Sequence, residues 1–183
     1  MIIQNNFLPY DSSLLERLNN PEIWICLAHE ETKEDYRWWT GQTAPKNIWE
    51  ELIQIIWGHI DLSKIAGFEY WVNICSKDDE LDWHQDKDEK LHDEQNITVS
   101  PSTSTVYYGF PHVVNGGLLE IAKHGETDKE LTERVHPEFN RIIIFDPSRW
   151  HRVTPIKSGT RFGFQVNIWE EEPSFVSQDT QIP

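Results

Sequence analysis

The apolar positions change period partway along the chain. Near the N-terminus Leu14, Leu15 and Leu18 recur at helical spacing behind Asp11 and Ser12, either of which can cap, and Asn19-Asn20-Pro21 stops the run. Pro45 opens a second helical pattern through Ile48, Leu52, Ile55 and Ile56, which Gly58 closes. From about Phe68 the texture becomes that of strands. Short β-rich runs occupy Phe68–Cys75, Ser102–Phe110, Gly117–Ala122, Arg141–Asp146 and Arg161–Trp169, separated by turn formers such as Asn115-Gly116-Gly117, Asp146-Pro147-Ser148 and Lys157-Ser158-Gly159. The polar stretch from Ser76 to Asn96 reads as an exposed loop interrupted by one short strand around His84. Short strands after a helical start predict a mainly β fold, a sandwich or jelly roll buttressed by N-terminal helices. The 183 residues fit one domain over 1–183, with a helical front at 1–67, a β core at about 68–170 and a tail at 171–183.

Charge and composition narrow the partners. Thirty-one acids against sixteen bases give a net charge of −15, which repels phosphate and disfavours nucleic acid or an anionic membrane. Two cysteines are too few for a disulfide scaffold and suggest a reduced, cytoplasmic setting. The N-terminus lacks a basic region and no apolar run approaches membrane-spanning length, so neither export nor a spanning helix is expected. Nine tryptophans are many for this size; most are expected to pack in the core or at its rim, with some lining a substrate cleft. Trp38, Trp39, Trp83 and Tyr108 are the candidates for gripping a substrate, with ordinary packing as the plainer role for each. The acids Asp78, Asp79, Glu80 and Asp82 read as a solvated loop, with attraction of a cationic group as the sharper alternative.

The candidate chemistry lies at His84, Asp86, His151 and Arg161. Two imidazoles and one carboxylate form the set that holds ferrous iron on one triangular face and leaves other positions open. In a strand, residues two apart point to the same side, so His84 and Asp86 can share an interior. The spacing alone is weak, because His59 and Asp61 match it; there Asp61 is placed to cap whatever begins at Leu62. His124 with Glu126 and His136 with Glu138 fit a looser version in turn-like stretches. His151 follows an apolar strand and a proline turn. Along the last strand, Arg161, Gly163, Gln165, Asn167 and Trp169 share one face and Phe162, Phe164, Val166 and Ile168 the other. The apolar face must meet the hydrophobic layer, so the polar face looks at solvent or into a ligand cavity. Gly163 removes bulk beside Arg161, giving an anion room to reach the guanidinium.

His84-x-Asp86, His151 and an arginine ten positions later, with Tyr107-Tyr108, Gly116-Gly117 and Ile142–Phe145 in order between them, resemble the 2-oxoglutarate- and Fe(II)-dependent dioxygenases, in particular the prolyl 4-hydroxylase-like branch. The resemblance implies a double-stranded β-helix, with His84, Asp86 and His151 on Fe(II) and Arg161 on the far carboxylate of 2-oxoglutarate. It also implies O2 as the oxidant, conversion of 2-oxoglutarate to succinate and CO2, and hydroxylation of an unactivated C–H in an amino acid, a peptide or protein residue, or a small metabolite. Asn73 ahead of the metal pair and the run from His84 to Glu89 are similar to the AlkB-type demethylases, which implies a co-substrate contact for Asn73. That family's tyrosine is Cys75 here and its second arginine is Asn167, so a demethylase is the lesser alternative. Tyr70 or Tyr107 can take the missing tyrosine's place, and Thr154 or Gln165 can add a hydrogen bond. A non-catalytic or cupin-like small-molecule-binding jelly roll is the other alternative.

Overall fold

A computed structural model describes residues 1–29, 37–58, 60–122 and 131–176. Its helical front begins with α1 (Ser13–Leu18), which buries Leu14, Leu15 and Leu18. Ser12 occupies the cap position without a side-chain bond. Asn20 and Pro21, expected to stop this helix, also start the next: the Asn20 side chain accepts from the Glu22 amide, and Pro21 takes the first position of α2 (Pro21–His29). In α3 (Ile48–Trp57) the Asn47 side-chain Oδ1 accepts from the Trp49 and Glu50 amides, and Leu52, Ile53 and Ile56 are buried. No helix among the described residues is long and apolar enough to cross a membrane.

Among the described residues twelve strands follow in chain order: β1 (Ile2–Gln4), β2 (Arg37–Trp39), β3 (Gly67–Cys75), β4 (Leu81–His84), β5 (Thr103–Tyr108), β6 (Val114–Gly116), β7 (Leu119–Ala122), β8 (Leu131–Val135), β9 (Arg141–Phe145), β10 (His151–Val153), β11 (Ile156–Gly159) and β12 (Arg161–Trp169). They form a six-stranded antiparallel sheet in the order β1-β9-β5-β12-β3-β2, a four-stranded sheet β4-β10-β7-β8, and the pair β11-β6. The arrangement is the expected jelly roll. One core fills the space between the helices and the outer face of the large sheet, with Leu18, Trp24, Trp49, Leu52, Phe68, Phe164, Val166 and Ile168 among its residues. A second, smaller core of Val106, Tyr108, Leu119, Ile121, Val135, Ile143 and Phe145 joins the two sheets.

The stretch read as an exposed loop contains a helix, α4 (Glu89–Gln95). Its signal is Asp88, whose side chain accepts from the Leu91 amide, and its end is Asn96 in the left-handed conformation. The same Asp88 carboxylate accepts from the Ser174 amide and hydroxyl, both at 2.6 Å, and so ties the chain beyond β12 over the mouth of the roll. Gly117 lies at positive φ with its α-carbon against β12; an added Cβ would stand 3.1 Å from Arg161 Cδ.

Candidate metal centre and active site

Strand pairing, rather than sequence proximity, assembles the site. His84 ends β4 and His151 begins β10, and the two are direct partners across the ladder, with ring centroids 4.3 Å apart. Asp86 follows the end of β4, where its amide donates to the Pro147 carbonyl and turns the carboxylate toward both rings. Its Oδ1 lies 3.7 Å from His84 Nε2 and 3.4 Å from His151 Nε2, and the three ligand atoms all fall within 4.8 Å of one another. This is the one group of three or more such ligands among the described residues able to hold a metal ion.

The surroundings prepare these atoms for a cation. Nδ1 of His84 is 2.7 Å from the Asp82 carbonyl, and Nδ1 of His151 is 2.8 Å from the Arg149 carbonyl. A carbonyl can only accept, so each Nδ1 carries the proton and each Nε2 presents its lone pair inward. His151 Nε2 is buried without a hydrogen-bond partner, an orphan that a metal ion would satisfy. Burial, followed by the neighbouring His151, holds His84 below the usual imidazole range and favours the neutral, ligating form. Burial opposes ionisation of Asp86, but the adjoining imidazoles, His151 before His84, outweigh it and keep the carboxyl below its ordinary value. Gln165 Nε2 donates to Asp86 Oδ2 at 3.1 Å and to Ser104 Oγ at 3.4 Å, fixing the carboxylate so that Oδ1 faces the imidazoles.

Arg161 is 2 % exposed, and no carboxylate among the described residues pairs with it. Nη2 donates to the Tyr108 hydroxyl at 2.9 Å, the guanidinium carbon stands 5.1 Å from the centre of the Tyr108 ring, and Nε has no partner. A Cβ on Gly163 would stand 3.2 Å from Nη1, so the glycine does keep the guanidinium's space open. A buried, unpaired cation with free donors is a site for an anion. The residues therefore fit both halves of an iron and 2-oxo acid pair.

The sequence-derived candidates divide by face. Asn73 and Gln165 border a cavity of about 390 Å³ that also touches His84, Asp86, Glu69, Trp71, Asn167 and Phe175. Asn73 Oδ1 accepts from the Cys75 thiol at 2.7 Å, and burial pushes that thiol up despite the nearby Arg161. Tyr107 is not at the site. Alternation along β5 turns it to the helical side, where its hydroxyl donates to Asn140 and its ring meets Phe7. Tyr70 lies on that side too, bonded to Glu50. Tyr108, taken for a substrate contact, is instead the tyrosine on Arg161. Trp39 belongs to the core, stacked on Phe68, and Trp83 lies under the Arg152 guanidinium on the face away from His84. Trp38 does not line this cavity, but its ring meets Phe175, which does, edge-on at 6.3 Å. Asp61 caps the short turn Leu62–Lys64, as expected; His59, His124 and Glu126 lie outside the described residues, and Glu138 pairs with Arg141. Glu69 escaped notice in the sequence, although counting back by twos from Asn73 reaches it through Trp71.

Three comparisons bear on this geometry. The family model described as the 2OG-Fe(II) oxygenase superfamily matches residues 70–169. No curated protein matches the chain in sequence. Among solved structures, a Pseudomonas putida prolyl-4-hydroxylase superposes with a TM-score of 0.61 at 17% identity, over 93% of this chain and 92% of that one. A prolyl hydroxylase from Trichoplax adhaerens, in complex with a hypoxia inducible factor oxygen degradation domain peptide fragment, gives a TM-score of 0.61 at 16% identity, over 96% and 86%. Both share the fold.

Proposed function

Because this chain belongs to the 2OG-Fe(II) oxygenase superfamily, whose chemistry uses Fe(II), 2-oxoglutarate and O2, we propose that residues 1–183 act as a single hydroxylase domain with one metal centre. His84, Asp86 and His151 hold the iron, and Arg161 with the Tyr108 hydroxyl holds the far carboxylate of 2-oxoglutarate. When bound, these groups supply the oxidant for a C–H bond: substrate–H, 2-oxoglutarate and O2 give substrate–OH, succinate and CO2. Each protein residue has a distinct task. The Asp82 and Arg149 carbonyls fix the tautomers, Gln165 orients Asp86, and Gly163 and Gly117 leave Arg161 its position. Asn73 lines the co-substrate end of the cavity. The substrate is an amino acid, a peptide or protein residue, or a small metabolite.

The convergence of His84 Nε2, His151 Nε2 and Asp86 Oδ1, each held by a second contact, carries this reading. Its test is anaerobic addition of Fe(II) and 2-oxoglutarate, expected to give a visible absorption band, with succinate formed on admitting air. Absence of both overturns it. Arg161→Ala should weaken 2-oxoglutarate binding by roughly ten- to a hundredfold, the worth of hydrogen bonds to a charged group, with iron affinity retained. Unchanged dependence on 2-oxoglutarate would remove Arg161 from its role.

A further inference from the structure

The inner face of the large sheet carries a polar row on two adjacent strands. On β12 it reads Arg161, Gly163, Gln165 and Asn167, and across the ladder on β3 it reads Cys75, Asn73, Trp71 and Glu69. The metal ligands meet this row at Gln165, bonded to Asp86. Arg161 stands four residues to one side, roughly 13 Å along the strand, and Glu69 opposite Asn167 stands two residues to the other side, roughly 7 Å. A buried cation thus closes one end of the row and a buried carboxyl the other, with the metal position between them.

Glu69 is 5 % exposed yet borders the same cavity as His84 and Asp86. Its Oε2 accepts from Trp169 Nε1 at 2.8 Å and from Asn167 Nδ2 at 3.2 Å, and no cation among the described residues pairs with it. Burial raises the carboxyl to about 7 even though both donors pull the other way. Asn167 adds a buried oxygen, Oδ1, that has no partner. Two neutral donors leave an acid at this depth undercompensated, so its burial is a cost to folding. Lys87 and Lys90 line the same cavity, yet neither forms an ion pair with Glu69, whose carboxylate has no positively charged donor on it among the described residues. The neighbouring walls suit one: Trp71 sits next on the row, Trp38 is Glu69's partner across β2 and β3, and Phe175 meets Trp38. Aromatic faces attract cations. At the mouth Lys87 is drawn toward Glu89, 3.4 Å away.

We propose that Glu69 anchors a cationic group of the primary substrate, a primary ammonium or a guanidinium, in this cavity, at the end of the row opposite Arg161. The inference rests on the oxygenase reading and narrows its substrate to a cation-bearing molecule. The cleft is then polarised: the anionic co-substrate enters toward Arg161, the cationic substrate toward Glu69, and each end rejects the other's ligand by charge.

The probes are n-butylammonium and n-butylguanidinium, with n-butanol and n-butylurea as their neutral counterparts. Each is titrated anaerobically into protein holding Fe(II) and 2-oxoglutarate, and tryptophan fluorescence is followed. The cations should bind at least about tenfold more tightly than their counterparts, with most of that gap gone in Glu69→Gln. Trp71→Leu, a change at a half-buried wall, should weaken the cations severalfold and serves if Glu69→Gln does not fold. Equal binding of cation and neutral counterpart overturns the proposal, as does a gap that keeps its wild-type size in the variants. The visible band recorded in the same wild-type samples separates two failures. Protein without the band fails as an oxygenase, whereas protein with the band and no cation preference fails at Glu69 alone.

Discussion

The two faces of β12 differ in what they do with burial. On the outer face Phe162, Phe164, Val166 and Ile168 pack into the core beneath the helices; Phe164 lies 4.7 Å from Trp49 and 6.0 Å from Tyr70, ring to ring. On the inner face Arg161 and Asn167 are equally buried, yet Arg161 Nε and Asn167 Oδ1 have no hydrogen-bond partners. Hydrophobic burial on one side gains free energy without needing a partner, whereas burial on the other leaves polar groups waiting for one. A nine-residue strand that alternates strictly can hold both. The stable face fixes the strand, and the strand fixes the geometry of the unsatisfied face. Stability and ligand binding should therefore separate when either face is cut.

The largest expected effect is on the outer face. Phe164→Ala removes a fully buried ring between two aromatic neighbours and should destabilise the fold by about 3–5 kcal/mol, read by denaturant unfolding. Under native conditions the fraction that remains folded should still bind Fe(II) with wild-type affinity, because no metal ligand touches that face. A loss of metal affinity in the folded fraction would show that the two faces are coupled.

The same contrast explains what was legible in the sequence. Strict alternation in β12 identified both of its faces, and its outer apolar residues gave the helix-packed layer. The His84, Asp86, His151 and Arg161 constellation is drawn together by antiparallel pairing between β4 and β10 and by the position of β12. Tyr107 was misplaced because adjacent tyrosines on one strand point to opposite faces, and nothing local says which faces inward. Alternation counted from Val106 and Tyr108, which join the inter-sheet core, would have chosen Tyr108. The helix α4 was hidden by its charge, since without an apolar stripe only its caps mark it. Trp83 illustrates the limit of composition: an aromatic next to a ligand in sequence can lie behind it in space.

A second cut belongs to the inner face. Burial raises Glu69 from 4.5 to about 7, so the folded state holds its proton more tightly than the unfolded chain does. The sign follows directly. The contribution is fully present below about 4.5, where both states are protonated, and is lost as pH rises through about 7. Glu69→Gln removes this dependence. In substrate-free protein the variant should gain on the wild type between pH 5 and pH 8, by up to about 3 kcal/mol, the free-energy equivalent of the shift. Unfolding midpoints of the two proteins at both pH values measure it, and taking their difference cancels the other titrating groups. A difference that stays flat with pH would mean that Glu69 is ionised in the empty cavity, with its charge already met.

The smallest effect sharpens the comparison most, because it sets two identical spacings against each other. His59 and Asp61 repeat the pattern of His84 and Asp86, but Asp61 accepts from the Ser63 amide at 3.1 Å and from its hydroxyl at 2.7 Å, and it is solvent-exposed. Its carboxylate is held below the usual range by those Ser63 bonds, the contacts of a cap. Asp61→Ala should therefore lower the melting temperature by no more than about 3 °C and leave Fe(II) affinity intact. Asp86→Ala, by contrast, should abolish tight Fe(II) binding, since it removes the carboxylate that faces both imidazoles. Equal losses of iron in the two variants would put the metal elsewhere. The expected inequality follows from β4 and β10 alone: one His-x-Asp has a partner strand carrying His151, and Asp61 has a serine two residues away.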